Sequence, residues 1–238
     1  MIITSFNVRG LGGRPKFLSL KRLFSNILLD ILCIQETMVS ASKACAYFLR
    51  LFPGWEVSAI DADGLSGGVL CIWNPVVCDV RAFSTSVGLS LSGHLRGCDV
   101  AIKLLNIYGP YRDRVPFWDK LAGSGLLRDP GLILMGDLNL TLSLTELWGT
   151  QVGDTLMEYF NFMFNEAGLI DIRPVELGPT WRNGRTAGQG ISKRLDRFLM
   201  ADNLSTIFDR YRVWHVDSMI SDHLPMCLQL ELNGERII

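Results

Sequence analysis

The sequence predicts an α/β fold in which two β-sheets pack face to face with helices on the outside. Three observations carry that expectation. Uninterrupted apolar runs of strand length recur, as in Gly131-Leu132-Ile133-Leu134-Met135, and such runs suit strands buried on both faces. Between some of these runs lie stretches with apolar residues at helical spacing. Strand-like segments outnumber helical ones, and no repeat, low-complexity tract or linker interrupts the 238 residues, so one domain over residues 1–238 is expected.

Taken in order, residues 2–8 read as a strand running into the flexible loop Arg9-Gly10-Leu11-Gly12-Gly13. Phe17, Leu18, Leu20, Leu23, Phe24, Ile27 and Leu28 then fall at helical spacing behind Pro15, which suits a first helical turn. Residues 30–37 form a buried strand ending near Glu36, and residues 41–51 a second helix stopped by Pro53-Gly54. Residues 55–60, 68–73 and 77–83 are three strands, with a turn cluster over 62–68. Residues 87–96 are ambiguous. Residues 98–108 are a long apolar strand, and 115–127 a helix with Phe117, Trp118 and Leu121 inward. After the run that ends at Asp137, residues 141–153 are polar and irregular. Asp154 or Thr155 caps a helix carrying Leu156, Tyr159, Phe160, Met163 and Phe164, which ends near Gly168. Pro179-Thr180-Trp181 opens a strand, the glycine-bearing loop 183–190 follows, and residues 193–199 read as the partner strand. Residues 211–216 and 225–232 are the last two strands.

With 48% hydrophobic and 20% charged residues, the chain can bury an ample core without disulfides or a structural metal. No apolar run is long enough to span a bilayer, and the first residues lack a basic, cleavable leader pattern. The cysteines Cys33, Cys45, Cys71, Cys78, Cys98 and Cys227 are dispersed and form no CxxC pair, which suits buried free thiols in a reducing intracellular compartment. A net charge of −1 does not announce a nucleic-acid binder, but it hides local basic clusters. These are Arg9, Arg14, Lys16, Lys21 and Arg22 early, Arg112 and Arg114 after a strand, and Arg182, Arg185, Lys193, Arg194 and Arg197 late.

Polar residues end many of the strands: Asn7, Glu36, Tyr108, Asp137, Asn139 and the pair Asp222-His223, with Asp196 set in an apolar strand. Each has a plain structural explanation, since Gly, Asp and Asn favour turns after strands and a lone histidine is commonly structural. Jointly they supply hard oxygen ligands, a carboxylate to activate water, an imidazole able to carry charge, and a phenol. Asp137 and Asn139 share parity, so in continued extended geometry they point the same way and can hold a water between them. Such a set suits Mg²⁺-assisted hydrolysis of a phosphate ester. The anionic substrate repels nucleophiles, so a cation must neutralise it and a donor must meet the charge developing on phosphorus. Asp196 beside the imidazole would hold it protonated. His94 and His215 carry no motif and read as structural.

The ordered series Phe6-Asn7-Val8-Arg9-Gly10, Gln35-Glu36-Thr37, Asn106-Ile107-Tyr108-Gly109-Pro110, Gly136-Asp137-Leu138-Asn139, Arg194-Leu195-Asp196-Arg197 and Ser221-Asp222-His223 resembles the endonuclease/exonuclease/phosphatase superfamily. Within it, the chain most resembles the apurinic-type endonuclease domain of LINE non-LTR retrotransposon proteins, especially plant ones. The resemblance implies a four-layered α/β sandwich. It implies that Glu36, helped by Asn7, holds Mg²⁺, with Mn²⁺ as a substitute, and that Asp137 activates or positions water with Asn139 orienting it. His223 would contact the scissile phosphate with Asp196 orienting the ring, Asp222 would lie near the metal and the leaving oxygen, and Tyr108 would hydrogen-bond a phosphate oxygen. Duplex DNA would be gripped by Arg9, Arg112, Arg182, Arg185, Lys193 and Arg194, with the loop 183–190 as a variable hairpin laid against it. The full-length protein would carry a separate reverse transcriptase region, and the domain would act as a monomer in the nucleus.

Three departures from relatives stand out. Tyr111 replaces a common asparagine. Lys193 stands where many have serine, with Ser192 one earlier. Arg9 stands where some repair enzymes have an acid, which favours the retrotransposon branch over abasic-site repair. Two alternatives stay open: a phosphatase or phospholipase of the same superfamily, and a non-catalytic DNA-binding remnant.

Overall fold

The computed structural model describes residues 1–63, 66–96, 100–149, 153–185, 189–232 and 235–236. The first third comprises β1 (Ile2–Asn7), α1 (Arg14–Ser25), β2 (Ile31–Gln35), α2 (Ala41–Leu49), β3 (Glu56–Asp63), β4 (Ser66–Trp73) and β5 (Cys78–Ser84). Next come β6 (Gly88–Leu95), β7 (Ala101–Tyr108), α3 (Arg114–Gly123), β8 (Leu132–Asp137), β9 (Leu147–Gly149) and α4 (Met157–Glu166). The remainder is β10 (Leu169–Asp171), β11 (Trp181–Arg182), β12 (Ile191–Lys193), β13 (Asp196–Ala201), α5 (Asp202–Ile207), β14 (Arg210–His215), β15 (Met226–Leu232) and β16 (Glu235–Arg236).

One sheet runs β14-β15-β1-β2-β4-β3, with short β16 on β15; the second runs β10-β13-β8-β7-β6-β5; a small third sheet joins β11, β12 and β9. The two large sheets face each other across a core that includes Ile3, Cys33, Leu104, Met135, Phe198 and Leu228. The outer face of the first sheet packs on α1 and α2 through Leu20, Phe24, Ala44 and Phe48. That of the second packs on α3 and α4 through Trp118, Leu121, Phe160 and Phe164. The result is the four-layered helix–sheet–sheet–helix sandwich predicted from the sequence.

Strand alternation explains where the polar groups go. In β8, Leu132 and Leu134 face the helices while Ile133 and Met135 face the other sheet, which puts Asp137 on the inner row. The same parity gives inner rows Ile3-Ser5-Asn7, Cys33-Gln35 and Leu104-Asn106-Tyr108. β1 and β2 are parallel, and so are β7 and β8, so each inner row turns from apolar to polar at its carboxyl end. β13 and β15 run antiparallel to these strands, which brings the start of β13 beside Asp137 (Asp196 opposite Asp137) and the residues before β15 near Asn7. One rim of the sandwich thus collects polar ends from both sheets.

Several sequence expectations are corrected. Residues 87–96, ambiguous in the sequence, are settled as strand β6 over Gly88–Leu95. The run 193–199 is two strands, not one: Lys193 ends β12 in the small sheet, and Asp196 begins β13 in the second large sheet. The stretch 141–153 includes the strand β9, which pairs with β12, and β10 after α4 was not foreseen. The first helix stops at Ser25, leaving Leu28 72% exposed, and the third stops at Gly123. Cys98 and residues 186–188 of the predicted hairpin lie outside the described residues. The other five cysteines are free thiols. Among the described residues, no helix is long and apolar enough to cross a membrane.

Gly136 is indispensable to this packing. Its φ is +137°, and a Cβ there would sit 1.9 Å from the Ile107 carbonyl oxygen of β7. Gly136→Ala is therefore expected to force β8 off β7 and to cost about 3 kcal/mol of stability, read as a lowered urea midpoint at unchanged m.

Candidate active site

At the polar rim a cavity of about 680 Å³ is lined by Arg9, Glu36, Tyr108, Asp137, Asn139 and His223, among others. Asp137 ends β8 and is 1% exposed. Both of its carboxylate oxygens are held: Asn7 Nδ2 donates to Oδ2 at 2.9 Å, and the Asn139 backbone N–H donates to Oδ1 at 3.1 Å. Asn7 in turn accepts the Arg9 N–H at Oδ1, 3.0 Å away. Asn7 thus fixes the Asp137 carboxylate and keeps a single Oδ1 lone pair for a cation.

Asn139 departs from the parity expectation. The strand stops at Asp137, and Asn139 adopts φ +51°, so the two side chains do not lie along one extended row. Its Nδ2 donates to the Gly109 carbonyl at 2.8 Å, and its own carbonyl accepts from Arg114 at 3.2 Å. A turn after the strand and a place in the cavity are therefore both realised. Glu36 shows the same device. In extended geometry it would point away from Gln35 toward the helices, but at φ +51° it joins the cavity. Arg9 is a third cavity residue in left-handed geometry, at φ +48°. Left-handed non-glycine residues gathered at one site mark backbone held against its preference by the surrounding fold.

His223 is 3% exposed. Its Nδ1 lies 2.9 Å from Asp196 Oδ2, and its Nε2 lies 3.6 Å from Asp137 Oδ2. Burial alone would lower the imidazole pKa, but the Asp196 and Asp137 carboxylates outweigh it and raise it to about 9. Burial pushes Asp137 up to about 7, aided by Asp196 and opposed by His223, Asn7 and the Asn139 N–H. Tyr108 is pushed well above the ordinary phenol range, first by burial and then by its hydrogen bond to Glu36. Thr180 Oγ1 supports this group by accepting the backbone N–H of both Leu195 and Asp196 at 3.0 Å. Trp181 forms an isolated bridge to His223.

The cations divide. Arg9 NH1 pairs with Asp222 Oδ2, which also accepts the Trp181 indole N–H at 2.9 Å. Lys193 lines the cavity, whereas Arg112, Arg182 and Arg185 are exposed outside its lining. Arg194, expected to grip DNA, is instead fully buried. It meets Asp171 in a bidentate pair at 2.6 and 2.8 Å and Glu146 at 2.8 Å. Arg197 joins the same two carboxylates from β13. Desolvating a guanidinium is tolerated only with such partners, and Glu146 and Asp171 provide them. Sequence inspection also missed Arg114 and Asp154 as cavity residues. Their bidentate pair, at 2.6 and 2.7 Å, braces the loop behind Asn139.

Residues 4–223 match the Endonuclease/Exonuclease/phosphatase family. The chain belongs to that family. Enzymes of the endonuclease/exonuclease/phosphatase family are metal-dependent phosphodiesterases, and here Asp137, Asp196 and His223 each offer a ligand atom within 4.8 Å of the others. No curated protein sequence matches the chain. Among solved structures, it is similar to the 3'-5' exonuclease NExo from Neisseria meningitidis, with 19% identity, 97% of this chain and 100% of that chain covered, and a TM-score of 0.73. A second NExo structure, titled a 3' phosphatase, is bound to a product DNA hairpin. The AP endonuclease LMAP from Leishmania major is 17% identical over 95% of this chain and 86% of that chain, with a TM-score of 0.75. The endonuclease domain of TRAS1, a telomere-specific non-LTR retrotransposon, is 19% identical over 98% and 99%, with a TM-score of 0.69. At these identities the likeness is one of fold, the family's αββα sandwich.

Proposed function

We propose that this protein is an Mg²⁺-dependent DNA endonuclease that nicks one strand of duplex DNA and leaves a 3′-hydroxyl. The observation that carries the proposal is that Glu36, Tyr108, Asp137 and His223, from strand ends of both large sheets, line one cavity, with Asn7 and Asp196 buried behind them and bonded to Asp137 and His223. The donor set suits a hard cation. Glu36 and Asp137 present carboxylate oxygens to the cavity, and the buried Asp196 Oδ1 has no hydrogen-bond partner among the described residues. Glu36, with the remaining lone pair of Asn7, would hold Mg²⁺, because His223 Nδ1 is committed to Asp196 and an imidazolium repels a cation. Bound there, the ion would neutralise phosphate charge.

The chain's own groups do the rest. Asp137, its carboxylate clamped by Asn7 and the Asn139 N–H, takes the proton of the attacking water. His223, kept cationic by Asp196, offers Nε2 to the phosphate oxygen on which negative charge grows. Tyr108, whose O–H is turned to Glu36 in the free protein, would donate to a second phosphate oxygen once substrate is bound. Arg9, Arg112, Arg182, Arg185 and Lys193 would meet the DNA backbone.

The motif series and the fold shared with the TRAS1 domain support placing the protein in LINE retrotransposition. The nick would prime reverse transcription by a separate region of the full-length polypeptide, in the nucleus, with the domain acting as a monomer. A supercoiled-plasmid assay tests the chemistry: nicking is expected with Mg²⁺ or Mn²⁺, abolished by EDTA and reduced at least ~10²-fold in Glu36→Ala. Activity that survives EDTA would reject the mechanism. Release of phosphate from an inositol phosphate, without nicking, would select a phosphatase instead.

A further inference from the structure

Two side chains within the motif series take no part in the chemistry above: Gln35, next to Glu36, and Asn106, two residues before Tyr108. The fold brings them face to face from opposite sheets. Gln35 Nε2 donates to Asn106 Oδ1 at 2.7 Å, and both side chains are fully buried. Gln35 Nε2 also donates to Ser5 Oγ of β1 at 3.0 Å. Asn106 Nδ2 reaches across to the backbone carbonyls of Ile34 and Leu70, at 3.1 and 3.0 Å, tying β7 to β2 and β4.

These contacts form one polar rung between an apolar interior and the cavity. One step deeper on the same inner rows lie Cys33 and Leu104; one step outward lie Tyr108 and, brought round by its left-handed turn, Glu36. Apolar packing is non-directional and lets two sheets settle by fractions of an ångström, whereas hydrogen bonds of fixed length and angle do not. The rung therefore fixes β2 against β7 in both spacing and register next to the site. Tyr108 and Glu36 meet at the other end of the same frame, in the lining of one cavity. An apolar pair would fill the place without leaving Gln35 Oε1 unpartnered among the described residues, so bulk stability does not explain the choice.

We propose that Gln35 and Asn106 are positioning residues, a rung between the sheets that holds Glu36 against Tyr108 and thereby sets the affinity of the site for a divalent cation. The proposal rests on the functional reading above only for the cation.

The test uses Asn106→Leu, Gln35→Met and the double variant. Replacing both partners by apolar groups of similar shape restores stability more readily than replacing one. The expected result is a double variant melting within a few degrees of wild type that still binds Mn²⁺ roughly 10-fold more weakly by electron paramagnetic resonance, the scale typical for loss of an outer-shell partner. Its nicking turnover falls while DNA affinity stays unchanged, and its crystal structure shows Glu36 displaced from Tyr108. Wild-type Mn²⁺ affinity with Glu36 still on Tyr108 would overturn the proposal. If the double variant does not fold, Gln35→Met, which leaves Asn106 bonded to Ile34 and Leu70, is judged by the same two outcomes. Wild-type protein that neither binds Mn²⁺ nor nicks DNA would sink the functional reading, and the rung is then decided by the Glu36–Tyr108 contact in the variant crystals.

Discussion

His223→Ala is expected to slow plasmid nicking by about 10²–10⁴-fold, the range seen when a positioned proton-transfer or charge-stabilising group is removed. Some stability should be lost as well, because Asp137 keeps Asn7 and the Asn139 N–H but the buried Asp196 carboxylate loses its His223 partner, so urea midpoints are read beside the rates. The pH profile separates the roles. Asp137 must be ionised to accept a proton, so the rate climbs with pH as this carboxyl, pushed up to about 7 in the metal-free site, gives up its own proton. A bound cation stabilises the carboxylate and moves that limb lower. His223 must be protonated to meet phosphate charge, so the rate falls above about 9. Asp196→Asn removes the main carboxylate holding the proton and should bring the alkaline limb down in pH. An unchanged alkaline limb in Asp196→Asn, or near wild-type nicking by His223→Ala, would end this assignment.

The largest stability effect is expected beneath the site. Arg197→Ala leaves Glu146 and Asp171 buried with one guanidinium between them and should cost about 3–5 kcal/mol, the usual penalty for breaking a buried ion pair from one side. The cluster also sets acid sensitivity. Burial would raise both carboxyls, but Arg197 and Arg194 outweigh it and hold Glu146 and Asp171 below their ordinary values of 4.5 and 3.8. Folded-state pKa values depressed in this way give stabilisation that is complete above the unfolded values and is lost as pH falls through the folded ones. Wild-type protein should therefore lose stability steeply below about pH 4, as read by urea midpoints across pH. A flat response over that range would show that these pairs contribute nothing net.

Much of this was visible in the text of the chain. The apolar runs through 131–135 and 98–108 marked the strands β8 and β7, and the polar residues at their ends, Asp137 and Tyr108, marked one rim of the fold. Glu36 could be named from its motif but not from its pattern. Strand periodicity sends it to the wrong face, and only the left-handed turn at φ +51° brings it round. No composition of neighbouring residues announces such a turn at a glutamate. Arg194 was misplaced for a different reason. It stands beside Lys193 among a run of cations, and adjacency suggested a shared surface. The residues that bury it, Glu146 and Asp171, lie 48 and 23 positions away, one of them in a stretch that looked irregular. Pairing at that range is a property of the closed sandwich, which also split residues 193–199 between two sheets.

The first sheet places β15 between β14 and β1, so the final long strand is the neighbour of the first. The Met1 amino group even donates to the Leu230 carbonyl at 2.9 Å. Asn7 and His223 are separated by more than two hundred residues of sequence. A nascent chain cannot complete its first sheet, nor bring imidazole to Asp137, until β15 has emerged. The site is complete only once β15 has paired with β1, and contacts of such long sequence separation make that step of folding a slow one.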